Sequence, residues 1–256
     1  MVDFRGSWKQ AFDDRTATRE LFHESDDRST TVIMVHQTGR FRFAKCADLN
    51  ATAVELPYEG PGRALMSAAS VSLSGVYTPG SGCVTPAIEW TGSEFSLVVL
   101  LPDDKNGLAS LEAKLSALTA LRCFSSLRRH GQVRVSLPLF KVKQVTELSP
   151  ALSALGVRDV FGEHALLWGS SMGDKRVTLM RHAAAFETSQ NGGRRRSRTK
   201  QRQSHLARLT RSIGVLLRMP RFRTDVISVD RPFAFFVTCS RPDAVMLLGS
   251  VREIRW

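Results

Sequence analysis

The chain has 256 residues, 43% of them hydrophobic and 23% charged, which is enough apolar material to bury a sizeable core. Its net charge of +12 has a single source: eleven basic residues and no acidic one lie between Arg194 and Arg223, and the remainder carries about +1. The charge is therefore local, not the mark of a generally cationic protein. No apolar run approaches the ~20 residues that cross a bilayer, and the opening MVDFRGSWKQ lacks the basic and apolar regions of a secretory leader. Cys46, Cys83, Cys123 and Cys239 form no CxxC pair, so isolated thiols are expected and metal ligation is not.

The first patterned stretch is Thr30 to Phe43, a β-branched run, then Gly39, then alternating apolar and basic residues; this predicts a hairpin with a half-buried second strand. Ala53 to Tyr58 reads as a strand stopped by Pro57 and Gly60. Phe95 to Leu101 is continuously apolar, as expected of a strand covered on both faces. Leu108, Leu111, Leu115 and Leu118 fall at helical spacing and are expected on one face. Gln132 to Val142 returns to strand alternation, interrupted by Pro138; with Pro57 this implies edges or bulges. Leu148, Leu152 and Leu155 predict a short helix closed by Gly156. Arg176 to Glu187 and Val226 to Val237 read as further strands, and Val245 to Val251 as a buried last one. Strands outnumber helices and follow no βαβ rhythm, which gives an α+β fold, mainly antiparallel.

Two stretches break the pattern. Residues 61–94 are rich in Ser, Gly, Ala and Thr, and residues 192–211 are rich in Arg, Gln and Ser with almost nothing to bury. Leu206, Leu209 and Ile213 could line a short basic helix in the second. No GxSxG elbow or HExxH helix occurs, so enzyme chemistry is not indicated and no cofactor is implied. His36 and His182 lie in strand-like runs, where a hydrogen-bonded structural histidine is the expectation.

Several separated motifs carry a resemblance. Phe4-Arg5-Gly6-Ser7-Trp8, followed by Phe12, Thr18 and Phe22-His23, is similar to FKGxW with its downstream T…FH. Val32 to Phe41 is similar to VPMM…GxF, with Ile33 and Val35 departing from it. Glu55-Leu56-Pro57-Tyr58 matches ELPY, Val99 to Pro102 a strand ending in LLP, and Val135 to Phe140 resembles VSLPKF. Leu155-Gly156 through Phe161 is similar to LGxxxxF, Asp230 to Phe233 matches D-[HR]-P-F, and Leu248 to Val251 matches a closing strand. Each is weak alone. Together and in order they resemble the carboxy-terminal half of a serpin, the serine-protease-inhibitor fold.

The resemblance implies one partial domain over residues 1–256, lacking the amino-terminal helices and part of the large sheet, with inserts at 61–94 and 192–211. It implies a secreted protein, with Asn50 of Asn50-Ala51-Thr52 a glycosylation acceptor. It further implies that residues about 187–225 form a bait loop for trypsin-like serine proteases. By the family's spacing back from Pro232 the bait residue falls at Arg221, with Arg218 second and Arg211 a poorer choice. In inhibitory members the cleaved loop inserts as a new strand into the large sheet, which requires a hinge of small residues. Here the hinge is matched at Glu187, Gly192 and Gly193, and is then followed by Arg194-Arg195-Arg196-Ser197-Arg198. Burying such charges in a sheet interior costs several kcal/mol each, so insertion and trapping are expected to fail. A second reading is a non-inhibitory protein whose Arg194, Arg195, Arg196, Arg198, Lys200 and Arg202 bind heparin-like glycosaminoglycans; with no aromatics interleaved, nucleic acid is not favoured. A third is a non-functional fragment, or a product of mis-splicing at the two inserts.

Overall fold

The computed structural model describes residues 2–4, 6–12, 16–61, 64–66, 72–73, 94–129, 131–162, 165, 176–188, 224–240 and 243–255. In chain order these form β1 (Val2–Phe4), β2 (Thr18–His23), β3 (Ser29–Gly39), β4 (Arg42–Cys46), β5 (Ala51–Pro61), β6 (Ala64–Met66), β7 (Ser72–Leu73) and β8 (Glu94–Pro102). There follow α1 (Leu108–Lys114), α2 (Ala117–Ser126), β9 (Arg128–Arg129), β10 (Val133–Pro138), β11 (Lys141–Glu147) and α3 (Ser149–Ala154). The last strands are β12 (Val177–Leu179), β13 (Arg181–Glu187), β14 (Asp225–Ser228), β15 (Phe233–Ser240) and β16 (Asp243–Val251).

Three sheets do most of the work. The largest runs β16-β15-β8-β5-β4-β9, a second β14-β10-β3-β2, and a third β11-β13-β1-β6. The apolar run of β8 is explained by its place in the first. Phe95, Leu97, Val99 and Leu101 point into one core, whereas Val98 and Leu100 point into another on the opposite face. The same division recurs in β15, where Phe233, Phe235 and Val237 face one way and Ala234 and Phe236 the other. A strand alternates its side chains, so apolar residues at every position mean two buried faces.

The larger core lies between the first sheet and the other two, and contains Phe4, Trp8, Phe22, Met34, Leu137, Phe140 and Phe186. The smaller core is closed by α1 and α2 through Leu108, Leu111, Cys123 and Leu127. The first and third sequence motifs meet in the larger core. Trp8 stacks on Tyr58 with ring centroids 4.4 Å apart, and Phe4 meets the Tyr58 ring edge-on at 5.0 Å. Burial pushes the Tyr58 phenol well above its ordinary range, so it stays neutral. Backbone bonds from Lys9 to Pro57 and from Glu59 to Ser7 hold the two segments together. A Cβ at Gly6 would sit 2.5 Å from the Tyr58 ring, so only glycine fits there.

Several expectations are corrected. Thr30 to Phe43 is not a hairpin: β3 continues through Gly39, pairs with β2 and β10, and hands over to β4 in a different sheet. The hairpin is β2–β3. Leu108 and Leu111 are buried, but Leu118 is 57% exposed. Ser116 starts a second helix with a capping box to Thr119, which resets the phase of the apolar stripe. β16 is not buried throughout; it is the edge strand of the first sheet and presents Val245 and Leu248 to solvent. Pro57 has the bulge expected of it, with the β5–β8 register shifting after it. Residues 61–94, expected to be irregular, contribute β6 and β7. Gly156 ends α3 at φ 96°, as its place in the sequence suggests.

The cysteine expectation is also corrected. Cys46 of β4 and Cys123 of α2 are disulfide-bonded across the smaller core, 77 positions apart. Cys239 is buried in β15, and Cys83 lies outside the described residues. A bridge over so long a loop constrains the unfolded chain strongly. Replacing both Cys46 and Cys123 by serine is expected to lower the unfolding free energy by about 2–4 kcal/mol in denaturant titration, and reductant should reproduce the loss in the parent protein.

Candidate functional site: the segment between β13 and β14

β13 has an antiparallel neighbour, β11, along its whole length from Arg181 to Glu187, and a parallel neighbour, β1, over only three positions. Val2, Asp3 and Phe4 pair with Ala184, Ala185 and Phe186, so no strand lies between β1 and β13 there. The other edge of β1 is covered by β6, antiparallel, with Val2 opposite Met66 and Phe4 opposite Ala64. The middle of β13 is Ala183-Ala184-Ala185, small and half-buried residues.

The end of β13 is firmly fixed. Thr188 is 4% exposed, and its hydroxyl accepts the Phe140 N–H at 2.8 Å while its own N–H donates to the Phe140 carbonyl at 3.0 Å. The hydroxyl is also within 3.3 Å of the Pro138 carbonyl. Beneath this clasp lie four phenylalanines. Phe140 approaches Phe186, Phe233 and Phe235 at 5.7, 5.4 and 5.6 Å, and Phe186 stacks on Phe235 at 4.9 Å. Aromatic pairs at these separations contribute beyond their buried area.

The next described strand is β14. It runs parallel to β10, Asp225 opposite Val133 and Ser228 opposite Ser136, and the Val229 N–H donates to the Ser136 carbonyl. Both ends of the intervening segment are thus tied to β10 and the corner after it: Thr188 at Pro138 and Phe140, Asp225 at Val133. The five steps along this strand, at ~3.3 Å each, span about 16 Å. A long stretch of chain is therefore held at two nearby points on a fixed strand.

Histidine 36 secures β10 from the other side. Its Nδ1 is 2.8 Å from the Ser136 hydroxyl, and its Nε2 is 2.7 Å from the Thr18 hydroxyl and 3.0 Å from the Glu20 carboxylate. These contacts stitch β2, β3 and β10 together, so the histidine is hydrogen-bonded and structural. His182 is half-buried on β13 opposite Thr146.

Of the residues singled out from sequence, Glu187 is the last of β13, exposed and paired with Lys141 at 3.1 Å. Asn50 is exposed at φ 48° after a single 3-10 turn (Ala47–Leu49), and the Thr52 hydroxyl donates to Asp103 at 3.2 Å. Gly192, Gly193, Arg194, Arg195, Arg196, Arg198, Lys200, Arg202, Arg211, Arg218 and Arg221 lie outside the described residues, as does the helix expected around Leu206, Leu209 and Ile213. Sequence reasoning missed Thr188. A threonine after a strand carries no signal until Phe140 is known to lie beside it. Among the described residues no group of His, Cys, Asp and Glu is arranged to hold a metal, and no helix is long and apolar enough to cross a membrane.

Comparison with known proteins accords with this arrangement. The sequence model of the family described as "Serpin (serine protease inhibitor)" matches residues 1–69 and 76–254. The chain is 30% identical over 255 residues to Iris of Ixodes ricinus, which covers 99% of this chain and 56% of that protein. It is 26% identical over 257 residues to Intracellular coagulation inhibitor 1 of Tachypleus tridentatus, covering 99% and 50%. Its fold is similar to that of uncleaved ovalbumin, with TM-score 0.68 at 24% identity over 98% of this chain and 52% of ovalbumin. The chain thus spans about half the length of the relatives it matches. Replacing Thr188 by valine would leave the buried Phe140 N–H without its side-chain acceptor, and denaturant unfolding should show a loss of about 1–3 kcal/mol that the Thr188→Ser variant avoids.

Proposed function

The chain belongs to the serpin family of serine protease inhibitors, and on that premise we propose that it offers an arginine between β13 and β14 to the acidic specificity pocket of a trypsin-like protease. Arg221 is the first candidate for that residue and Arg218 the second. The observation that carries this reading is the anchoring of both ends of the segment on β10, since bait must be presented from a rigid base. Arg221 precedes β14 by only a few residues in the sequence.

The outcome of the encounter is cleavage without trapping. Insertion of the cleaved segment would have to part β1 from β13 and carry Arg194, Arg195 and Arg196 into the sheet behind Glu187, Gly192 and Gly193. Unpaired guanidinium groups in a sheet interior cost more than one added strand recovers.

We place the protein outside the cell. The buried Cys46–Cys123 disulfide suits an oxidising compartment, and Asn50 is exposed in a turn that presents its side chain to solvent. Expression through a secretory pathway should yield a product whose mobility shifts on treatment with an N-glycosidase, the shift disappearing in Asn50→Gln. An unshifted product would remove Asn50 as an acceptor.

The bait assignment is tested by limited digestion with trypsin, following the first bond cut by mass spectrometry. The first cut should fall after Arg221 or, failing that, Arg218, without an SDS-stable complex, and Arg221→Ala should slow it about tenfold or more. First cleavage among Arg194 to Arg202, with the later bonds intact, would contradict the assignment.

A further inference from the structure

We propose that Asn106 is a site of spontaneous covalent modification, in which the Gly107 nitrogen displaces its side-chain amide and water opens the resulting succinimide to aspartate and isoaspartate. The isoaspartate is then a substrate for a protein isoaspartyl methyltransferase. The chain has three asparagines, Asn50, Asn106 and Asn191, and the last two are each followed by glycine. Asn191 lies outside the described residues. A following glycine favours the reaction, because without a Cβ its nitrogen is unhindered and its backbone can swing towards the side chain. Asn106 stands in the turn between β8 and α1, where Asp103, Asp104, Lys105 and Asn106 are all exposed.

Packing holds the reactive pair in place. A Cβ at Gly107 would lie 2.9 Å from the Pro102 Cβ and 3.0 Å from the Asp104 carbonyl oxygen, so glycine is required after Asn106. Attack requires the Gly107 N–H to leave the Asp104 carbonyl, its partner at 3.1 Å. That is one hydrogen bond of an exposed turn, the kind that opens locally without unfolding the domain. The new bond joins Gly107 N to Asn106 Cγ, the Cγ–Nδ2 bond breaks, and the Gly107 proton departs with ammonia. Water then gives its hydroxyl to one ring carbonyl carbon and its proton to the ring nitrogen. Opening at Cγ leaves aspartate. Opening at the main-chain carbonyl leaves isoaspartate, whose backbone runs through Cβ and Cγ and whose α-carboxylate is free.

Either product is felt by the fold. Asn106 Nδ2 donates to Asp26 Oδ2 at 2.5 Å and so joins this turn to the one between β2 and β3. Conversion removes that donor and sets a carboxylate against Asp26, which replaces a hydrogen bond by repulsion. The start of the turn is held independently: the Asp103 N–H donates to the Asn50 carbonyl, and Arg231 donates to the carbonyls of Pro102 and Asp103. Isoaspartate also adds one main-chain atom directly before α1, whose Leu108 and Leu111 help close the smaller core. With Gly107 already packed against Pro102 and Asp104, the added atom displaces the first turn of α1.

The test incubates the intact protein at physiological temperature and mildly alkaline pH. It follows peptides 106–114 and 182–194, which cutting after Lys and Arg separates, so that Asn191 serves as an internal reference. Peptide 106–114 should gain one dalton, take up one heavy oxygen from isotopic water, and accept a labelled methyl group from S-adenosylmethionine and isoaspartyl methyltransferase. Asn106→Gln should lower all three signals at least tenfold while leaving 182–194 unchanged. Amide exchange in α1 should be at least tenfold faster in the converted protein, and Asn106→Asp, which adds the charge without the extra atom, should show a smaller acceleration. The parent's own time course needs no variant to fold. A 106–114 peptide that stays unchanged in the native protein while the denatured chain converts would overturn the site. Mass gain without methyl acceptance would overturn the isoaspartate product, and unchanged exchange in α1 after conversion would overturn its structural consequence.

Discussion

The double burial of β8 and β15 is the constraint on which the structure depends. Each strand is apolar at nearly every position because it forms a wall shared by two cores. Phe233 and Phe235 project from that wall into the aromatic cluster under the end of β13. On the opposite face, Ala234 and Phe236 pack against the layer of α1 and α2, with Phe124 meeting Phe236 edge-on at 5.1 Å. The disulfide ties this layer to β4. A substitution in the wall is therefore felt on both faces, and large-to-small changes there belong to the costly class of core mutations.

From the wall outward, rigidity is passed to β10. Phe140 connects the aromatic cluster to the corner after β10, Thr188 clasps β13 to the same corner, and β14 lies along the strand itself. His36 then binds β10 to β2 and β3. The consequence is a division of labour within one family fold. Under the proposed function the base of the segment is β13, with small alanines along it and a polar clasp at its end. The segment that would have to enter the sheet carries arginines where small residues are needed. Presentation and insertion are physically separable, and the proposed function asks only for the first.

Much of the fold was legible because its signals are local. The apolar run of β8, the Gly156 stop after α3, and the bulge at Pro57 follow from residue types at their own positions. The motifs at Trp8 and Tyr58 could be recognised separately, and the structure explains their pairing as a ring stack over Gly6. What failed depends on partners far along the chain. The continuation of β3 as far as Gly39 is decided by β10, nearly a hundred residues later, which offers pairing on its far side. Leu118 fits the helical stripe of α1, but the cap at Ser116 turns it outward. The Cys46–Cys123 bridge has no spacing signature, because only the meeting of β4 with α2 brings the thiols together. Within the candidate site Glu187 was legible as a strand end, whereas Thr188 became meaningful only beside Phe140.

The central claim, that the segment is presented but cannot be taken into the sheet, is tested most directly by comparing intact protein with protein cleaved once between Thr188 and Asp225. Thermal unfolding and amide exchange in β1, β13 and β11 should be measured on both. The midpoint should stay within a few degrees, where 1 kcal/mol corresponds to about 2–4 °C for a chain of this size, and exchange at β1 and β13 should be unchanged. A rise of more than about 10 °C on that scale, accompanied by new protection at the β1–β13 boundary, would show that the cleaved strand had been inserted and would contradict it.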